Sequence, residues 1–195
     1  YRTHTRKSLE TGEEAIFLDK TALASGNDYF VIGDWKISPD NRYLAYSYDT
    51  AGDERYQVKI IDLHTGNYLD DILNDVEGAL AFSSNGTQLM YALLEPERWQ
   101  SKHLKIHTLG GNQSDDQTIY YEQDDGFFIG FGKTSSEEFL VIVSAQGELQ
   151  ESYIMPADFS GEPLQIVSRN DGFSQQIDHA HGEFYILAND THKNF

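Results

Sequence analysis

Hydrophobic and polar positions along this chain fall into a pattern that returns. Four times a turn rich in Ser, Asn, Asp or Gly precedes a short aromatic and β-branched run: "SPDNRYLAYSY", "SSNGTQLMYAL", "KTSSEEFLVIV" and "DHAHGEFYILA". With Leu44, Leu89, Leu140 and Tyr185 taken as equivalent, the spacings are 45, 51 and 45 residues. A near-constant period of that length marks a repeat architecture. Within the runs, Val58, Ile60 and Asp62 alternate with Lys59, Ile61 and Leu63, the pattern of a half-buried strand, while "FLVIV" is apolar at every position and predicts a strand covered on both faces.

The order of strands between these landmarks also recurs. "YLAYSY" is followed by "YQVKIIDLHTGNYLDDIL", "LMYALL" by "HLKIHTLGG" and "QTIYYEQ", and "FLVIVSA" by "ESYIMPAD" and "PLQIV". Each unit therefore holds about four strands, and no segment shows helical periodicity. Repeated four-stranded antiparallel units facing one another around a channel make a β-propeller, whereas a β-sandwich does not repeat such a unit at fixed period. The expected class is all-β, an arc of about four blades. Residues 29–74, 75–122 and 123–168 are read as blades. Residues 1–28, with "EEAIFLD", are read as outer strands of an incomplete blade, and 169–195, closing on "NDTHKNF", as the start of a further one. The chain opens on Tyr1 and reads as a fragment whose open blade edges are expected to favour self-association.

Composition adds limits. Of 195 residues, 12 are Tyr and 11 Phe against 4 Pro, which suits strands. The formal net charge of −18 disfavours phosphate backbones and anionic membrane surfaces and leaves basic peptides as partners, although a solvated acidic surface is the plainer account. Absence of Cys excludes a disulfide framework and a thiol nucleophile and fits the cytoplasm. No apolar run approaches the ~20 residues of a helical membrane span.

Motifs of catalysis are missing. There is no G-x-S-x-G elbow, no G-x-x-x-x-G-K-[ST] or G-x-G-x-x-G loop and no H-E-x-x-H, and no cofactor or metal is expected. His103 with His107 and His179 with His181 have the spacing of paired metal ligands, but a third and fourth ligand are lacking, so they read as exposed or turn histidines. "EQDDG" at Glu122 lacks calcium-loop spacing and reads as a turn entering a strand. "NGT", "NQS" and "NDT" match the glycosylation pattern, which matters only in secreted proteins. A glycosidase site on the propeller is disfavoured because no Asp-box with its Gly and Trp is present. More suggestive is an acidic residue ahead of or early in each blade's first strand: Asp34, Glu77, Asp125 and Asp171. These are candidates for a ring lining the channel and attracting cationic peptides, with ordinary turn chemistry as the alternative.

"SPDNRYLAYSYDTAGDERYQVKIIDLHTG", then "LDDILNDVEGALAFSSNGTQLMY" and later "EFYILANDTHKNF" resemble, in that order along nearly the whole chain, the N-terminal propeller of the prolyl oligopeptidase family, most of all its oligopeptidase B (protease II) branch. The resemblance implies a seven-bladed propeller that caps an α/β-hydrolase domain of the same polypeptide. That domain holds the Ser, Asp and His triad and cuts short peptides after Arg or Lys, while the propeller admits oligopeptides and excludes folded proteins. No triad motif has a counterpart here, so no catalytic residue is carried over. A stand-alone propeller that binds proteins or peptides is the alternative.

Overall fold

The computed structural model describes residues 2–191. After a hairpin of β1 (Thr3–Lys7) and β2 (Glu14–Asp19) and a five-residue helix, α1 (Lys20–Ala24), come thirteen strands that pair antiparallel with their sequence neighbours. The first unit comprises β3 (Val31–Ile37), β4 (Tyr43–Asp49), β5 (Tyr56–Asp62) and the first half of β6 (Tyr68–Phe82). The second comprises the last residues of β6, then β7 (Gln88–Leu94), β8 (Ser101–Thr108) and β9 (Gln117–Tyr121). The third is β10 (Phe128–Lys133), β11 (Phe139–Gln146), β12 (Leu149–Pro156) and β13 (Leu164–Val167), and β14 (Gln175–Ala180) pairs with β15 (Glu183–Ala188) beyond it.

β6 runs without a break from one unit into the next. Val76 faces Tyr56 of β5, whereas Leu80 and Phe82 face Tyr91 and Leu89 of β7. The register shifts between Val76 and Leu80, where Gly78 adopts φ 127°, a conformation that a side chain would strain. One strand thus closes the first unit on the outside and opens the second on the inside.

The repeating turns share one chemistry. Ser38 Oγ donates to Asp40 Oδ1 (2.5 Å) and accepts from the Tyr43 amide (2.8 Å). Ser83 does the same with Asn85 (2.8 Å) and the Gln88 amide (3.0 Å). Thr134 pairs with Ser136 (3.1 Å) and accepts from the Phe139 amide (3.3 Å). Three residues after each leading Ser or Thr, the backbone turns left-handed, at Asn41, Gly86 and Glu137. These side chains satisfy backbone donors that the tight turn leaves unpaired, so the hairpin register is fixed locally.

Alternation along the strands then stacks the units. Ala45, Val58 and Ile60 of the first unit meet Leu89 and Tyr91 of the second. Met90 and Ala92, on the opposite face, meet Leu140 and Ile142 of the third. Leu44 and Tyr46 pack under the first hairpin through Leu18. Phe139, on the far face of the third unit, contacts His179 and Phe184 at ring-centroid distances of 4.7 and 4.9 Å. Sheets covered on both faces and stacked side by side make an open arc of a β-propeller. Helix α1, which the periodicity does not predict, is a single turn nucleated by Asp19, whose carboxylate accepts from the amides of Thr21 and Ala22. No helix among the described residues is long and apolar enough to cross a membrane.

Candidate functional site at the inner strands

β3, the end of β6 and β10 lie side by side as the innermost strands, and between them opens a cleft of about 370 Å³. Asp34 sits in its wall. Its Oδ1 accepts from the Trp35 amide and from Lys36 Nζ, both at 2.8 Å, and its Oδ2 accepts from the Leu80 amide of the next unit at 3.1 Å. Beside it the Asp34 amide donates to Ser47 Oγ (2.8 Å), which donates on to the Gly78 carbonyl (2.7 Å). Asp34 therefore ties two inner strands together while neutralising Lys36. Across the cleft stands Lys133, half-buried at the end of β10, whose pKa burial pushes down while the field of Glu137 opposes that shift.

Of the other three sequence candidates, Glu77 lies within β6, while Asp125 and Asp171 lie in the connections that lead into β10 and β14. Glu77 accepts from Ser101 Oγ at 2.7 Å. Loss of water around its carboxylate raises its pKa, and the Ser101 bond works against the rise. Asp125 is bridged by Lys102 and Arg98, whose hydrogen bonds hold it below the usual carboxylate range. Asp171 closes a capping box, accepting from the Ser168 amide at 2.9 Å. No hydrogen bond or ion pair joins any two of the four. Glu77 and Asp171 are bound only by neutral groups, whereas Asp34 and Asp125 also bind cations.

Two ionic clusters escape a reading of the sequence. Arg169, in the turn before β14, places Nη2 2.6 Å from Glu151 and 2.7 Å from Glu122, and its guanidinium carbon lies 3.9 Å from the centre of the Phe127 ring. Glu122, the first residue of "EQDDG", is thus more than a turn residue. Burial pushes its pKa up, but the bonds from Arg169, Ser144, the Asp124 amide and Tyr120 outweigh that and hold it at about 2. The cluster borders a cavity of about 690 Å³ lined also by Tyr120, Tyr153 and Gln165.

The second cluster centres on His107. Its ring, fully buried, lies 2.7 Å from Asp71 and 2.8 Å from Asp116. Asp71 also accepts from the Gly110 amide (2.6 Å) and Asp116 from the Tyr91 hydroxyl (2.8 Å). His103 instead packs tilted against the Tyr121 ring, with centroids 4.6 Å apart. His179 is buried against Ser136 (2.8 Å), and His181 occupies an exposed left-handed turn position. Neither sequence pair shares a common ligand position.

Comparison with known proteins accounts for the architecture. The family model "Prolyl oligopeptidase, N-terminal beta-propeller domain" matches residues 1–195. Dipeptidyl aminopeptidase BI of Pseudoxanthomonas mexicana is 35% identical over 90% of this chain and 24% of its own length. Protease 2 of Moraxella lacunata is 29% identical over 98% of this chain and 28% of its own. Among solved structures, oligopeptidase B from Leishmania major superposes with a TM-score of 0.87 at 19% identity, covering 95% of this chain and 26% of that one. Oligopeptidase B from Trypanosoma brucei gives 0.85 at 22% identity, covering 98% and 28%. The chain spans about a quarter of the length of these relatives. Strand order, turn chemistry and family match agree: the chain belongs to the N-terminal β-propeller of the prolyl oligopeptidase family.

Proposed function

We propose that this chain is the propeller portion of an oligopeptidase B-like serine peptidase, that a catalytic α/β-hydrolase domain in the same polypeptide performs hydrolysis after Arg or Lys, and that the propeller admits short peptides while excluding folded proteins. The observation that carries the reading is the 29% identity to Protease 2 across 98% of this chain. The described residues supply walls and charge: an inner-strand cleft and rim carboxylates, of which Glu77 and Asp171 bind no cation and so contribute most to attracting basic peptides. Asp34 and Asp125 add to that field less, because of the cations they bind. The cytoplasm is the proposed place of action. Exposed Phe184, Tyr185, Ile186 and Leu187 on β15 give an isolated chain a surface through which copies self-associate.

Steady-state hydrolysis of Arg and Lys peptides by the complete natural polypeptide tests this reading, with the 195-residue chain alone expected to be inactive. Glu77→Gln is expected to lower kcat/KM for an Arg peptide about two- to threefold at low salt and to flatten its salt dependence. An unchanged value and slope removes the steering role. The 35% identity to dipeptidyl aminopeptidase BI favours a second reading, release of dipeptides from free N-termini. Blocking the substrate's amino terminus abolishes turnover under that reading and leaves it intact under the first. A stand-alone binding module would show neither activity.

A further inference from the structure

We propose that the inner-strand cleft binds the C-terminal carboxylate of a short peptide, with Lys133 as its counter-ion and Ile37, Leu80 and Phe131 as the wall for the last side chain. This rests on the reading of the chain as a peptide-handling propeller. Two cations line the cleft, and they differ. Lys36 is neutralised by Asp34 at 2.8 Å. Lys133 makes no hydrogen bond or ion pair from its ammonium to any described residue, and Glu137, in the turn that follows, acts on it only through space. A half-buried ammonium without a partner has lost part of its hydration with no compensating contact, so an arriving carboxylate restores what burial removed.

Shape points the same way. Beside Lys133, Gly132 also lines the cleft, and a Cβ placed there would meet no atom within 4 Å. A glycine in a strand next to open space lets another backbone come close. The opposite wall sets apolar Ile37 on β3 and Leu80 on β6 beside the Asp34–Lys36 pair, and Phe131 adds apolar surface from β10, the strand of Lys133 itself. A charged end beside a greasy wall suits a peptide terminus whose last residue is apolar better than it suits a small inorganic anion.

The test compares Ala-Ala-Phe with its C-terminal amide, titrated into the full chain by calorimetry and by amide chemical shifts of Phe131 and Gly132. The free acid is expected to bind about tenfold more tightly than the amide, a step of about 1.4 kcal/mol. Lys133→Gln is expected to erase that preference and Lys133→Arg to keep it. Equal binding of acid and amide by the unaltered chain overturns the proposal without any variant, and so does a preference that survives Lys133→Gln. Displacement of the acid by inorganic phosphate at equal concentration overturns it in favour of a general anion site. None of these readouts involves hydrolysis, so their failure leaves the peptidase reading standing, and that reading fails separately if the complete polypeptide turns over no Arg or Lys peptide.

Discussion

The Asp71–His107–Asp116 and Glu122–Arg169–Glu151 clusters share one plan, a nitrogen-bearing side chain between two carboxylates, in opposite surroundings. His107 is 0% exposed and its carboxylate partners only 2% and 3%, whereas 26% of the Arg169 side chain faces a cavity of about 690 Å³. The sealed cluster joins the outer half of β6 to β8 and to the loop before β9, fastening the first unit to the second. The open cluster spans the end of the second unit, β12 of the third and the turn leading to β14. Sealing decides what each can do: the first can only hold, and the second also answers to solvent, salt and pH.

The comparison is broken most directly by removing each central side chain. His107→Leu leaves two buried carboxylates facing a hydrocarbon, and we expect it to cost about 3–5 kcal/mol in urea unfolding. Arg169→Met leaves Glu122 and Glu151 beside water that can reach them, and we expect a smaller loss of about 2–3 kcal/mol. Equal losses would show that the cavity does not relieve the open cluster.

A pH series sharpens the same contrast. The Glu122 carboxyl is held at about 2, below its ordinary 4.5, so its contribution is fully present above about pH 5 and is lost as pH falls towards 2. Arg169→Met removes the strongest of the bonds that lower this pKa and leaves burial, which raises it. The urea midpoint of the unaltered chain is expected to fall between pH 5 and pH 2, and that of the variant to fall less. Parallel curves would place the acid sensitivity elsewhere, among the other depressed carboxylates such as Asp40 and Asp178.

What the sequence displays and what it hides divide along the same line. The repeating turns were legible because Ser38 with Asp40, Ser83 with Asn85 and Thr134 with Ser136 act within two residues, so their chemistry is written in adjacent letters. "FLVIV" announced a buried strand because strand patterning is also local: Leu140 and Ile142 on one face are fully buried, whereas Phe139, Val141 and Val143 on the other are half-buried, so the expected cover of both faces is only partial. Arg169 was silent because its partners lie 18 and 47 residues away, and His107 because Asp71 lies 36 residues away. Asp34 was singled out from its place in the first unit's inner strand, but only the folded chain shows it bonding the Leu80 amide and neutralising Lys36. Lys133 carried no signal at all, since a lysine ending a strand is ordinary until its missing partner is seen.

The smallest expected effect sits in the repeat itself. Three turns place Asn41, Gly86 and Glu137 at equivalent left-handed positions, with φ of 59°, 72° and 60°. Only glycine adopts that conformation without a Cβ penalty, and Asn tolerates it better than Glu because its short polar side chain bonds locally. Glu137→Gly is therefore expected to raise stability by up to about 1 kcal/mol, the relief of strain being partly offset by the greater freedom of glycine in the unfolded chain. Gly86→Ala should cost a similar amount. A Cβ there would sit 3.5 Å from Ser38 Cβ, an ordinary contact, so the cost would come from the backbone and not from crowding. If Glu137→Gly destabilises the chain instead, the Glu137 side chain contributes more at the cleft than its backbone costs. The field it exerts on Lys133 would then have to be counted among the interactions that hold the third turn in place.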